Sequence, residues 1–138
     1  MARMPTAAPP AIHGLVPMAH VADVERSIRF YGLLGLEPTD RLRDGPRTRW
    51  ARLRAGDAAL MLAAATAPVI PEQQAVLLYL YCRDVSALRD HLLARGVADA
   101  RADALGTVSA VTRPPYMPAG EIRIADPDGY CLLVGQTD

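Results

Sequence analysis

The side chains with which this chain could move a proton near neutral pH are His20 and Glu121. His20 lies next to last in the apolar run LVPMAHV (15–21), and an imidazole titrates close to physiological pH. Its bland reading is a hydrogen-bonded residue at a strand end. Glu121 opens EIRIA (121–125). If that stretch is a strand, Ile122 and Ile124 turn toward a core, leaving Glu121 and Arg123 on the other face. Arg52 falls on the same kind of face in RTRWARLRA (47–55), together with Trp50. Arg52, Glu121 and Arg123 either pair as ordinary ion pairs at the mouth of a cavity or leave two guanidinium groups that favour a carboxylate or phosphate. His13 lies in a Pro- and Ala-rich leader, and His91 falls on an exposed helical turn. Cys82 and Cys131 are isolated, with no C-x-x-C pair, and Cys131 reads as an inert buried thiol. One imidazole and one carboxylate do not make a closed zinc site or an open catalytic one.

What positions these residues is written twice. VADVERSIRFYGLLGLEP begins at Val21 and CRDVSALRDHLLARGVAD at Cys82. Asp23 matches Asp84, Val24 matches Val85 and Gly35 matches Gly96, all at an offset of 61 residues. Each Asp can cap a helix N-terminus, and each Gly stands where the helix end needs a left-handed residue. Val24, Ile28 and Tyr31, and again Val85, Leu88 and Leu92, recur at helical spacing. Strands precede both helices (LVPMAHV; AVLLYLYC, 75–82) and follow them (RTRWARLRA and AALMLAA; GEIRIA and YCLLVG). Turns near Gly56-Asp57 and Asp128-Gly129 correspond. The pattern predicts an α+β domain over residues 12–135, built from two β-α-β-β-β modules at 12–65 and 75–135. A linker at 66–74 joins them, and residues 1–11 form a flexible leader. Residues 102–120 hold Pro114, Pro115 and Pro118 and form a rim or lid.

One helix covers one sheet face per module, so the opposite faces line a shared interior. Alternation assigns Val16, Met18 and His20, Met61 and Ala63, Leu77, Tyr79 and Tyr81, and Cys131 and Leu133 to that side. Leu60, Leu62, Leu78, Leu80, Leu132 and Val134 go to the helix side. Tyr116 and Met117 close over a ligand or cover a partner subunit. The expected ligand-binding set is therefore Met18, His20, Trp50, Arg52, Met61, Tyr79, Tyr81, Tyr116, Glu121, Arg123 and Leu133. Such an aromatic and aliphatic lining with a few polar groups suits a small molecule. Asp23, Asp84, Asp126 and Asp128 serve as caps and turns.

The combination resembles the vicinal oxygen chelate superfamily, which includes glyoxalase I, extradiol dioxygenases, fosfomycin-resistance enzymes and bleomycin-resistance proteins. The matching residues are VADVERSIRFYGLLGL from Val21, DVSALRDHLLARG from Asp84 and DPDGY from Asp126. The resemblance implies paired βαβββ modules around a cleft, usually in a homodimer. The catalytic members hold a divalent metal through residues that fall here on Val16, Met61, Leu77 and Leu133. None of these can ligate a hard cation, so the resemblance points to the metal-free, bleomycin-resistance type with no cofactor.

Zero net charge argues against broad nucleic-acid binding, and no run is long enough to span a membrane. Isolated cysteines and the absence of an apolar signal run point to a cytoplasmic protein. The expected function is metal-free binding and sequestration of an antibiotic or toxic aromatic metabolite. Two alternatives stand beside it: an enzyme, lyase, isomerase or dioxygenase-like, working through His20 and Glu121 or a displaced metal site, and a structural dimer whose pocket is filled by its own Tyr and Met side chains.

Overall fold

The computed structural model describes residues 8–98 and 106–137. The leader expected at residues 1–11 lies outside the described residues up to residue 7, as do residues 102–105 of the expected lid. Helix α1 spans Val24–Gly32 and α2 spans Val85–Ala94. Each begins as its Asp dictates: the Asp23 carboxylate accepts from the Arg26 N–H at 3.1 Å, and Asp84 accepts from the Ala87 N–H at 2.9 Å. Each ends at a glycine with positive φ, Gly35 at 84° and Gly96 at 93°. That turn lets the Leu36 N–H reach the Tyr31 carbonyl at 3.0 Å and the Val97 N–H reach Leu92 at 3.1 Å. Both are the six-to-one closure of a Schellman cap.

The strands are β1 (Met18–Val21), β2 (Glu37–Asp44), β3 (Arg47–Ala55) and β4 (Ala58–Ala64) in the first module. The second holds β5 (Leu77–Cys82), β6 (Thr107–Val108), β7 (Glu121–Ala125) and β8 (Cys131–Gln136). They form two four-stranded sheets of matching order, β2-β3-β4-β1 and β6-β7-β8-β5. In each, the strand before the helix pairs in parallel with the last strand of its module. Two strands escape the alternation argument. β2 is an edge strand of mostly exposed, mostly polar residues, and β6 is two residues long inside the Pro-rich stretch.

The helix side of both sheets and the two helices share one apolar core, with Phe30, Tyr31, Leu53, Leu62, Leu92 and Leu132 fully buried. The modules are joined by the D-P-D-G turn. Asp128 accepts from the Ala22 N–H at 2.8 Å, from the Arg26 guanidinium at 3.2 Å and from the Ser27 hydroxyl at 3.4 Å. Asp126 accepts from the Tyr31 hydroxyl at 2.6 Å and from the N–H groups of Asp128 and Tyr130, each at 2.9 Å. Burial pushes the Asp126 carboxyl above its ordinary range, and its three hydrogen bonds partly offset this. These aspartates make the turn, and they also clamp the second module onto the start and last turn of α1. His91 likewise differs from its expected exposure. It is half-buried, its Nε2 3.1 Å from the Leu33 carbonyl and its Nδ1 3.0 Å from Arg95, so it ties α2 to the end of α1.

The two sheets are not closed into a barrel. Among the described residues no helix is long and apolar enough to cross a membrane.

Candidate functional site

Residues opposite one another in a ladder point to the same face, so register alone assembles the free faces. On the first sheet Met18, Met61 and Arg52 form one row across β1, β4 and β3, and His20, Ala63 and Trp50 form the next. On the second sheet the matching rows across β5, β8 and β7 are Tyr79, Leu133, Arg123 and Tyr81, Gly135, Glu121. A further row there is Leu77, Cys131 and Ala125. The eleven expected ligand-binding residues thus divide. Met18, His20, Trp50, Arg52 and Met61 gather on the first free face. Tyr79, Tyr81, Glu121, Arg123 and Leu133 gather on the second, with Tyr116 reaching it from the loop.

One chain does not enclose these faces in a shared interior. Met18 is 55% exposed, Leu77 59% and Tyr81 65%. The last strand has two apolar faces because Leu132 and Val134 pack in the core while Cys131 and Leu133 lie half-buried on this open side.

Glu121 is the best-held polar group of the second face. It is buried, and it accepts from the Tyr79 hydroxyl at 2.6 Å and from the Tyr116 hydroxyl at 2.9 Å, one phenol on each oxygen. Its hydrogen bond to Glu121 pushes the Tyr79 phenol up to about 12, and Tyr116's own bond to Glu121 raises that phenol too. The Tyr79 and Tyr81 rings lie 5.2 Å apart, tilted by 44°. Gly135 makes this arrangement possible. A Cβ there would stand 2.8 Å from the Tyr79 hydroxyl and 2.6 Å from Met117 Cε. Met117 therefore lies on the floor of this face. A glycine inside a strand is the one sequence signal of such a close approach.

The ion pairs considered between Arg52, Glu121 and Arg123 are not formed. Among the described residues the salt bridges are Arg26–Asp128, Arg41–Glu25 and Arg49–Asp44. Arg52 Nε is shielded from solvent and has no acceptor. Arg123 is exposed and borders a hollow of about 380 Å³ with Thr107, Ser109, Ala125 and Cys131. Thr107 and Ser109 were not expected here, because the short β6 carries no strand pattern. His20 sits apart from Glu121, on the other sheet. Its carbonyl accepts from the Tyr130 hydroxyl at 3.0 Å, and it lines a hollow of about 330 Å³ under the linker. Among the described residues of one chain no hydrogen bond joins His20 to Glu121.

The four positions onto which the resemblance places metal ligands, Val16, Met61, Leu77 and Leu133, offer no oxygen or nitrogen side-chain donor. In the ladders the neighbours of Met61 and Leu133 include Arg52 and Arg123, whose charge repels a cation. Among the described residues no group of three or more His, Cys, Asp or Glu side chains could hold a metal ion. The residues present do not fit a hard divalent cation.

Comparison with solved structures finds this fold repeatedly. A bleomycin-binding protein solved with bleomycin superposes with a TM-score of 0.72 at 20% identity, covering 92% of this chain and 100% of that one. A bleomycin resistance determinant encoded on transposon Tn5 gives 0.73 at 20% identity, covering 92% and 99%. An antibiotic-binding protein, TnmS3, from Streptomyces sp. CB03234 gives 0.68 at 23% identity, covering 93% and 98%. At these identities the likeness shows the fold. No curated protein sequence matches the chain. The sequence profile of the Glyoxalase/Bleomycin resistance protein/Dioxygenase superfamily matches residues 15–133, and with two βαβββ modules in that order the chain belongs to this superfamily.

Proposed function

We propose that this protein binds and sequesters a small aromatic molecule without turning it over, as a metal-free homodimer in the cytoplasm. The observation that carries the reading is the pair of open sheet faces. Each presents a continuous run of large apolar and aromatic side chains to solvent, Met18 with Met61 and Trp50 on one, Leu77, Tyr79, Tyr81 and Leu133 on the other. Exposed apolar surface of this kind marks a ligand or partner site. A second copy that lays its first sheet against the second sheet of its partner would turn two open faces into a cleft. The expected ligand-binding residues would then converge from both subunits. The neighbours whose names record binding of bleomycin or an antibiotic support a small-molecule ligand.

Sequestration rather than turnover follows from the chemistry available. The Glu121 carboxylate is engaged by two phenols, and the family's metal-ligand positions are hydrocarbon or thioether. Trp50, the sole tryptophan, reports directly on the proposed cleft. Its fluorescence should change saturably as one of a panel of aromatic antibiotics is titrated in, at one site per cleft, with the compound recovered unchanged afterwards. Light scattering should return the mass of a dimer of 14.8 kDa chains. A monomer with no saturable ligand among aromatic antibiotics would overturn the reading. Elemental analysis finding about one tightly held metal per chain would overturn its metal-free part.

A further inference from the structure

We propose that the ligand of this site is a planar aromatic anion, received by one arginine from each module, Arg52 and Arg123. This rests on the small-molecule-binding reading above and names the class of molecule bound.

The duplication places the two arginines alike. Arg52 stands in the row Met18–Met61–Arg52 and Arg123 in the row Tyr79–Leu133–Arg123, the same strands and the same register in each module. Each guanidinium therefore borders the apolar centre of its own free face. Around them the neighbouring side chains have diverged, His20 against Tyr81 and Trp50 against Glu121, yet both positions hold arginine.

Neither arginine is paired with a carboxylate among the described residues. No salt bridge among the described residues includes them. Asp40 is opposite Arg52 in the ladder between β2 and β3, but its carboxylate takes the Thr39 hydroxyl instead. Glu121 has one phenol on each oxygen. A cationic ligand approaching the second face would thus meet an exposed guanidinium and a carboxylate already occupied. On the first face Arg52 is half-buried and its Nε has no acceptor, so no carboxylate among the described residues competes with a ligand for this guanidinium. A guanidinium matches a carboxylate or sulfonate through two parallel N–H donors and stacks on aromatic faces.

The second face also has the space. The hollow beside Arg123, about 380 Å³, lies within the range of small-ligand sites. Thr107 and Ser109 supply polar edges beside the guanidinium, while Ala125 and Cys131 give an apolar wall for a ring.

The test uses the full chain and three fluorescent probes of similar ring size: anilinonaphthalene sulfonate (anionic), N-phenylnaphthylamine (neutral) and aminoacridine (cationic). The anionic probe should bind at least about tenfold tighter than the neutral one, a difference of about 1.4 kcal/mol. That preference should fall in ~1 M salt, where the Debye length is about 3 Å. Arg52→Met and Arg123→Met keep an apolar stem on a surface-facing position. Each should weaken the anionic probe about tenfold and leave the neutral probe within about twofold. Arg123→Lys should recover part of the loss. Equal binding of the neutral and anionic probes, preference for the cation, or arginine variants that leave the anionic constant unchanged would overturn the proposal while sparing the binding reading. Failure of all three probes to bind would overturn both.

Discussion

The two modules share a backbone plan and differ in how tightly they are bound to the rest of the molecule. Their corresponding turns show it best. Gly56 and Gly129 each end a β-turn with positive φ, 56° and 86°. Around Gly56 nothing lies within 4 Å of where a Cβ would be. At Gly129 a Cβ would fall 2.6 Å from Pro71 Cα and 2.7 Å from its carbonyl oxygen. The first turn only reverses a hairpin. The second reverses a hairpin, supports the linker and holds α1 through Asp126 and Asp128. A duplicated element has taken on the work of joining the copies, and its neighbours have become intolerant of change.

The largest expected effect tests that asymmetry. Gly129→Ala should destabilise the protein by about 3 kcal/mol, since backbone and a proline ring must move as well as φ. Gly56→Ala should cost only about 1 kcal/mol. Equal midpoint shifts in urea would mean that the two turns are energetically alike. Tyr31→Phe removes the donor from a buried carboxylate and should cost about 1–3 kcal/mol by the same assay. It has no counterpart in the second module, where Leu92 occupies the corresponding core position. Asp23→Ala and Asp84→Ala should each cost about 1 kcal/mol. A marked inequality would show that the shared cap sequence hides different helix energetics.

The smallest effect concerns the free face rather than the joint. Tyr79 carries a phenol pushed up to about 12 by its hydrogen bond to Glu121. A phenol whose folded-state value is raised holds its proton more tightly in the fold. Its contribution is fully present below its ordinary value of 10 and is lost as pH rises from there toward about 12. Glu121→Gln should bring the Tyr79 midpoint back toward 10, read by ultraviolet tyrosinate absorbance. The Tyr116 midpoint should fall in step, and an unchanged titration would remove Glu121 as the cause.

Much of this is legible in the amino-acid sequence. Strand alternation assigned Leu132 and Val134 to the core and Cys131 and Leu133 to the open side, because a pleated strand leaves its residues no other choice. It could not reach β2, whose residues Glu37–Asp44 carry no apolar alternation, since an exposed edge strand has nothing to bury. The candidate site was legible as a set of residue types and faces, and not as a set of contacts. Arg52, Glu121 and Arg123 seemed natural ion partners, yet Arg52 is on another sheet, and Tyr116 reaches Glu121 through a loop whose path leaves no periodic signal. His91 read as exposed because helical periodicity describes one helix, whereas the end of the other helix covers it.

The sequence by itself determined the two capped helices, the duplication and the face on which each strand residue lies. Those depend on interactions within a few residues: a carboxylate three positions from an N–H, a glycine at a helix end, a side chain alternating with its neighbour. Only the tertiary structure decided that the D-P-D-G turn clamps the modules together, through the Ala22 N–H and Asp128, 106 residues apart. It alone decided that Glu121 is spent on two phenols, that Arg52 and Arg123 have no salt-bridge partner among the described residues, and that both sheet faces stand open. Which polar groups meet across such distances is set by how the sheets and helices pack, and side-chain type constrains that packing without specifying it.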